Sequence, residues 1–94
     1  MSKVVVRQPH GLSTTDAQKR MGSFQEMMGK YGVSANWSDY KATLKGVGVG
    51  GSIEIHEKEV VVTVTLGMMA KAIGVDPVRL QASIEKRLRA AFEK

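Results

Sequence analysis

The stretch Gly46–Gly67, GVGVGGSIEIHEKEVVVTVTLG, decides how the rest of the chain is read. Four glycines fall within six residues, and β-branched residues follow. A dinucleotide-binding loop has G-x-G-x-x-G between a strand and a helix. Here the pattern is G-x-G-x-G-G, a strand pattern follows it, and no helix start stands behind it to hold a phosphate. The Gly-Lys-Ser/Thr of a Walker loop is absent. Gly46, Gly48, Gly50 and Gly51 therefore read as hairpin glycines that supply positive φ or a bulge.

Working outward, Ile53 and Ile55 alternate with Glu54 and His56, which predicts a strand over Ser52–Glu57. Glu57–Glu59 reads as a polar turn. Val60, Val62, Val64 and Leu66 then face inward, with Val61, Thr63 and Thr65 outward. Before the glycines, Trp37–Lys45 reads as one strand, with Tyr40, Ala42 and Leu44 inward. Trp37 has the wrong parity for that inner face, so it precedes the strand proper or lies on the outer face.

The first strand is Val4–Arg7, ended by Gln8-Pro9 because proline lacks the N–H a ladder needs. Ser13 is a helix N-cap with Asp16 three residues on. Ala17, Met21, Phe24, Met28 and Tyr31 recur at steps of four and three, predicting a helix over 14–31 closed by Gly32. Gly22 lies within it and gives another element room to approach. The methionines read as core, with Met27 and Met69 the exceptions. A short helical turn is predicted over 68–74. Asp76-Pro77 starts the last helix, Asp as cap and Pro at the first position. Leu80, Ile84, Leu88 and Ala91/Phe92 form its stripe over 77–92. The sequence thus predicts one α+β domain over 1–94, in the order β-α-β-β-β-α. Its four-stranded antiparallel sheet carries two helices on one face.

Ninety-four residues bury roughly 60–70% of the surface exposed when unfolded, enough for one core. The chain has no cysteine, which excludes disulfides, thiolate zinc sites and cysteine nucleophiles. His10 and His56 are the only histidines, and neither has a ligand partner at metal-binding spacing. His10, in the loop before the first helix, reads as a structural residue with a functional role as its alternative. No carboxylate pair among Asp39, Glu54, Glu57 and Glu59 reads as a general acid and base. No enzyme activity, cofactor or metal is expected. The apolar run at the N-terminus is too short for a signal peptide, and none is long enough to span a membrane, so a cytoplasmic protein is expected.

The net charge is +5. Residues 1–34 and 71–94 each carry a net +3, and residues 35–70 a net −1. Positive charge sits on the helical parts and suits a polyanionic partner. A near-neutral sheet disfavours RNA reading on strands, which uses aromatic and basic groups there. The exposed candidates are Arg79, Lys86, Arg87 and Arg89 of the last helix.

RQPHGLSTTDAQKR before an amphipathic helix, then YGVSANWSDYKATLKGVGVGGSIEIHEKEVVVTVTLG, then a basic helix, resembles the small polyhydroxyalkanoic acid system proteins of bacteria. The resemblance is carried by Pro9-His10, Tyr31-Gly32, Trp37, the Gly48-Val49-Gly51-Ile53-Ile55 hairpin and Leu66-Gly67, in order over nearly the whole chain. Gly46, Gly50 and the Met68-Met69 pair depart from it. It implies a cytosolic bacterial protein of polyhydroxyalkanoate granules, an accessory or regulator, and it carries over no catalytic residue. The partner would then be a granule surface or granule protein, met by the apolar area and charge of the last helix. A small basic nucleic-acid-binding regulator is the alternative. The strand Val4–Arg7 offers a second copy of the chain an edge to pair with.

Overall fold

The computed structural model describes residues 2–30, 32–46, 48–67, 74 and 76–92. Tyr31, Met68, Met69, Lys94 and the helical turn expected at 68–74 lie outside the described residues, apart from Gly74. The elements are β1 (Ser2–Pro9), α1 (Thr14–Arg20), α2 (Gly22–Lys30), β2 (Ser34–Ser38), β3 (Lys41–Gly46), β4 (Val49–Ile55), β5 (Glu59–Leu66) and α3 (Pro77–Phe92).

The α+β class stands, but the sheet has five strands, in the order β1-β5-β4-β3-β2, every neighbouring pair antiparallel. The extra strand comes from Trp37–Lys45, which is not continuous. Ser38 pairs with Lys41 across a two-residue turn in which Asp39 has φ 55. Primed hairpin turns require such a positive φ, and Asp tolerates it better than most residues. The turn restarts the alternation, so Trp37 pairs with buried Ala42 and lies half-buried on the inner face. Tyr40 occupies the turn and is exposed instead of packing inward.

β2 to β5 form a meander, and β1 returns to pair with β5 from Ser2↔Leu66 to Pro9↔Glu59. The helices carry the chain from one sheet edge to the other. Val4, Val6, Ala42, Leu44, Ile53, Ile55, Val60, Val62, Val64 and Leu66 are buried on the inner face. Ala17, Met21, Phe24, Met27, Met28, Ile84 and Leu88 of the helical layer pack against them. Met27 is buried, contrary to expectation.

The first helix breaks at Met21 into α1 and α2. The Ser13 hydroxyl accepts the Asp16 N–H at 3.1 Å, as its capping role requires. α2 ends in a Schellman pair of bonds, Val33 N–H to the Met28 carbonyl and Gly32 N–H to the Gly29 carbonyl, with Gly32 at φ 75. At the start of α3 the Asp76 carboxylate accepts the Val78 N–H at 2.9 Å.

The glycines are hairpin and strand residues. Gly46 pairs with Val49 around the β3–β4 turn, and Gly48 there has φ 71. Gly51 lies inside β4 between Leu44 and Val64. A Cβ on Gly51 would collide with the Thr63 carbonyl oxygen, so β4 and β5 approach there only without a side chain. Among the described residues no atom of another element lies within 4 Å of a Cβ built at Gly22 or Gly29, so neither serves an approach between described elements.

These contrasts predict opposite effects of one substitution. Gly51→Ala should destabilise by about 2 kcal/mol or more, because strand backbone must shift. Gly29→Ala should stabilise by up to about 1 kcal/mol through helix propensity. Urea unfolding of both variants checks the pair.

Candidate functional site

α3 is the most basic element, and its two sides have different uses. Ile84 and Leu88 are fully buried, and Leu80 and Phe92 pack partly against the same core. Arg79, Lys86, Arg87 and Arg89 are all exposed. Arg79 and Lys86 are seven residues apart, two turns along one side, and Arg89 lies one turn further. They form a strip about 15 Å long, with Arg87 on its flank. Among the described residues none of the four is within ion-pair distance of a carboxylate. The charge therefore faces solvent as expected, but the apolar area expected to accompany it does not. The one large apolar side chain α3 exposes is Val78, at 77%.

The C-terminal end of α3 is held from two sides. Arg20 of α1 donates to the Ala91 carbonyl at 3.0 Å, meeting one of the carbonyls a helix end leaves free. The His10 ring stacks on Phe92, with centroids 5.6 Å apart. His10 Nδ1 accepts the Leu12 N–H at 3.1 Å, so the proton sits on Nε2, which donates to the His56 carbonyl at 2.8 Å. The His10 N–H donates to the Lys58 carbonyl. The structure thus brings His10 to His56 through backbone, not ring to ring. The His56 ring faces Glu54 at 3.2 Å, and Glu54 also lies 3.7 Å from Lys41. Among the described residues no three His, Cys, Asp or Glu side chains gather in a way that could hold a metal, and no polar or charged residue is buried.

A second cluster joins α1 to the β2–β3 turn. The Tyr40 hydroxyl lies 3.0 Å from the Thr15 hydroxyl, and Gln18 Nε2 donates to the Asp39 carbonyl at 3.0 Å. Hydrogen bonds from Thr15 and then Thr14 favour the phenolate and pull the Tyr40 pKa below the ordinary tyrosine value. The Ser38-Asp39-Tyr40 turn signal was the available clue to this placement. Nearby, Trp37 Nε1 donates to Gln25 Oε1 at 3.0 Å and fixes β2 under α2.

A family model described as "Putative polyhydroxyalkanoic acid system protein" matches residues 4–92. The chain belongs to this family. The matched span runs from the start of the buried part of β1 to Phe92, and so takes in the basic strip and the His10 contacts. No curated protein and no solved structure matches the chain. Among the described residues no helix is long and apolar enough to cross a membrane.

Two measurements check this geometry. The Thr15 hydrogen bond is the first cause of the lowered Tyr40 pKa, so Thr15→Ala should move the Tyr40 tyrosinate absorbance titration to higher pH. An unchanged titration in Thr15→Ala would contradict the Thr15–Tyr40 bond. His10→Ala should lower stability by about 1 kcal/mol, since it removes the hydrogen bonds to the Leu12 N–H and the His56 carbonyl together with the stack on Phe92. That loss should shrink in a Phe92→Ala background, as a double-mutant cycle would show.

Proposed function

We propose that this protein is a non-enzymatic accessory or regulatory component of the polyhydroxyalkanoate granule system. It docks on a negatively charged granule surface or an acidic granule protein through Arg79, Lys86, Arg87 and Arg89. The observation that carries this reading is the division of α3. Its large apolar residues other than Val78 are committed to the core, while its basic residues are exposed and have no acidic partner among the described residues.

Docking on this reading is electrostatic, with the fold intact. Each basic side chain near an anionic surface contributes about 1 kcal/mol. Exposing Ile84 and Leu88 for insertion would forfeit about 1.5–3 kcal/mol for each from the core. Attachment through charge alone leaves that packing undisturbed. It should weaken with salt, because exposed charges are screened over about 8–10 Å at physiological ionic strength.

The test is reversal of Lys86, Arg87 and Arg89 to Glu. The variant should keep the wild-type circular dichroism spectrum and lose co-sedimentation with isolated granules. Unchanged co-sedimentation would sink the role of the strip. Retention of the wild-type protein by DNA or RNA in preference to granules, lost at high salt, would favour the nucleic-acid regulator instead.

A further inference from the structure

The two edges of the sheet differ in a way that bears on assembly. β1 carries Lys3 and Arg7 on either side of Val5 and ends in Pro9. If two β1 strands paired antiparallel about Val5, Lys3 would face Arg7 of the partner, and like charges directly opposite destabilise a pair. Charge and proline are the usual protections of a sheet edge. β2, Ser34-Ala35-Asn36-Trp37-Ser38, has neither, and among the described residues no strand lies beyond it.

We propose that two copies of the chain join edge to edge through β2, making one continuous antiparallel sheet. The register supports this pairing. Ser38 and Lys41 close a two-residue turn, so Ser38, Asn36 and Ser34 direct their backbone groups to β3. Ala35 and Trp37 direct theirs to the free edge. A two-fold axis through Asn36 sets Ala35 opposite Trp37 of the partner and Trp37 opposite its Ala35. These are the positions whose N–H and C=O groups need partners, and each meets its complement. The same pairing sets small Ala35 beside half-buried Trp37 on the inner face, and Ser34 opposite Ser38 on the outer face. No charged residue of β2 opposes another.

An axis perpendicular to the sheet leaves the helices of both copies on the same side. The dimer would then turn both α3 strips toward one surface and raise the effective concentration of the second contact. That consequence rests on the docking reading above; the dimer itself does not.

Sedimentation equilibrium should give twice the single-chain mass of 10.2 kDa. Emission of Trp37, the sole tryptophan, should shift to the red on dilution as the edge is exposed. The chain lacks cysteine, so one introduced thiol reports a symmetric contact. Asn36→Cys should form disulfide-linked dimers on mild oxidation, since the two Asn36 positions form a closely spaced pair. Ser52→Cys, on the same outer face but two strands inward, should not. Asn36→Lys should halve the mass, and mixing it with Asn36→Asp should restore the dimer. A wild-type mass of one chain at the highest soluble concentration would overturn the proposal. So would Asn36→Cys crosslinking no faster than Ser52→Cys.

Discussion

The apolar stripe of α3 has to close the core, and the rest of the structure depends on that packing. The inner face of the five-stranded sheet is lined by valine, leucine and isoleucine, and it needs a helical layer across its full width. α1 and α2 supply Ala17, Met21, Phe24, Met27 and Met28. Ile84 and Leu88 of α3 complete the seal, and α3 packs beside β1. The edge strand β1, with Val4 and Val6 buried, holds its place through pairing with β5 and contact with α3. Loss of α3 would expose that whole edge.

This constraint fixes where the charge goes. A helix with buried residues at positions 84 and 88 must turn positions 79, 86 and 89 away from the core. The basic strip therefore lies on the outside of a helix that is anchored at its far end. Arg20 at the Ala91 carbonyl and His10 against Phe92 secure the last turn, and Asp76 caps the first. Function on this account is a property of a rigid surface. The membrane-surface helix it superficially resembles uses its apolar side for lipid, whereas here that side is occupied by the protein's own sheet.

The regular parts of the fold were legible because local pattern and tertiary need agreed. Val60–Leu66 alternates, and its inner set is buried. Ser13, Gly32, Asp76 and Pro77 mark helix ends through backbone chemistry that does not depend on distant partners. The Ser38-Asp39-Tyr40 turn was missed because alternation can run on past a two-residue turn that has no glycine. Once the strand was read as continuous, Trp37 fell on the wrong face and Tyr40 on the inner one. Met27 was misjudged because a helix under a wide sheet buries a broader arc than one stripe. At the candidate site, the four basic residues were legible as exposed charge, since nothing in a core can hold them unpaired. The fate of the helix's apolar side was not legible. An amphipathic pattern looks the same whether its apolar face meets lipid or sheet, and only the packing of Ile84 and Leu88 decides between them.

Docking by charge requires α3 to stay packed on the sheet while it meets its partner. Amide hydrogen exchange of the protein bound to isolated granules tests this most directly, with salt release measured on the same sample. The α3 amides, including those of Ile84 and Leu88, should stay as protected on granules as in solution, and rising salt should release the protein. Loss of α3 protection on binding, together with attachment that salt does not weaken, would contradict docking by charge and show that the helix leaves the core to insert its apolar face.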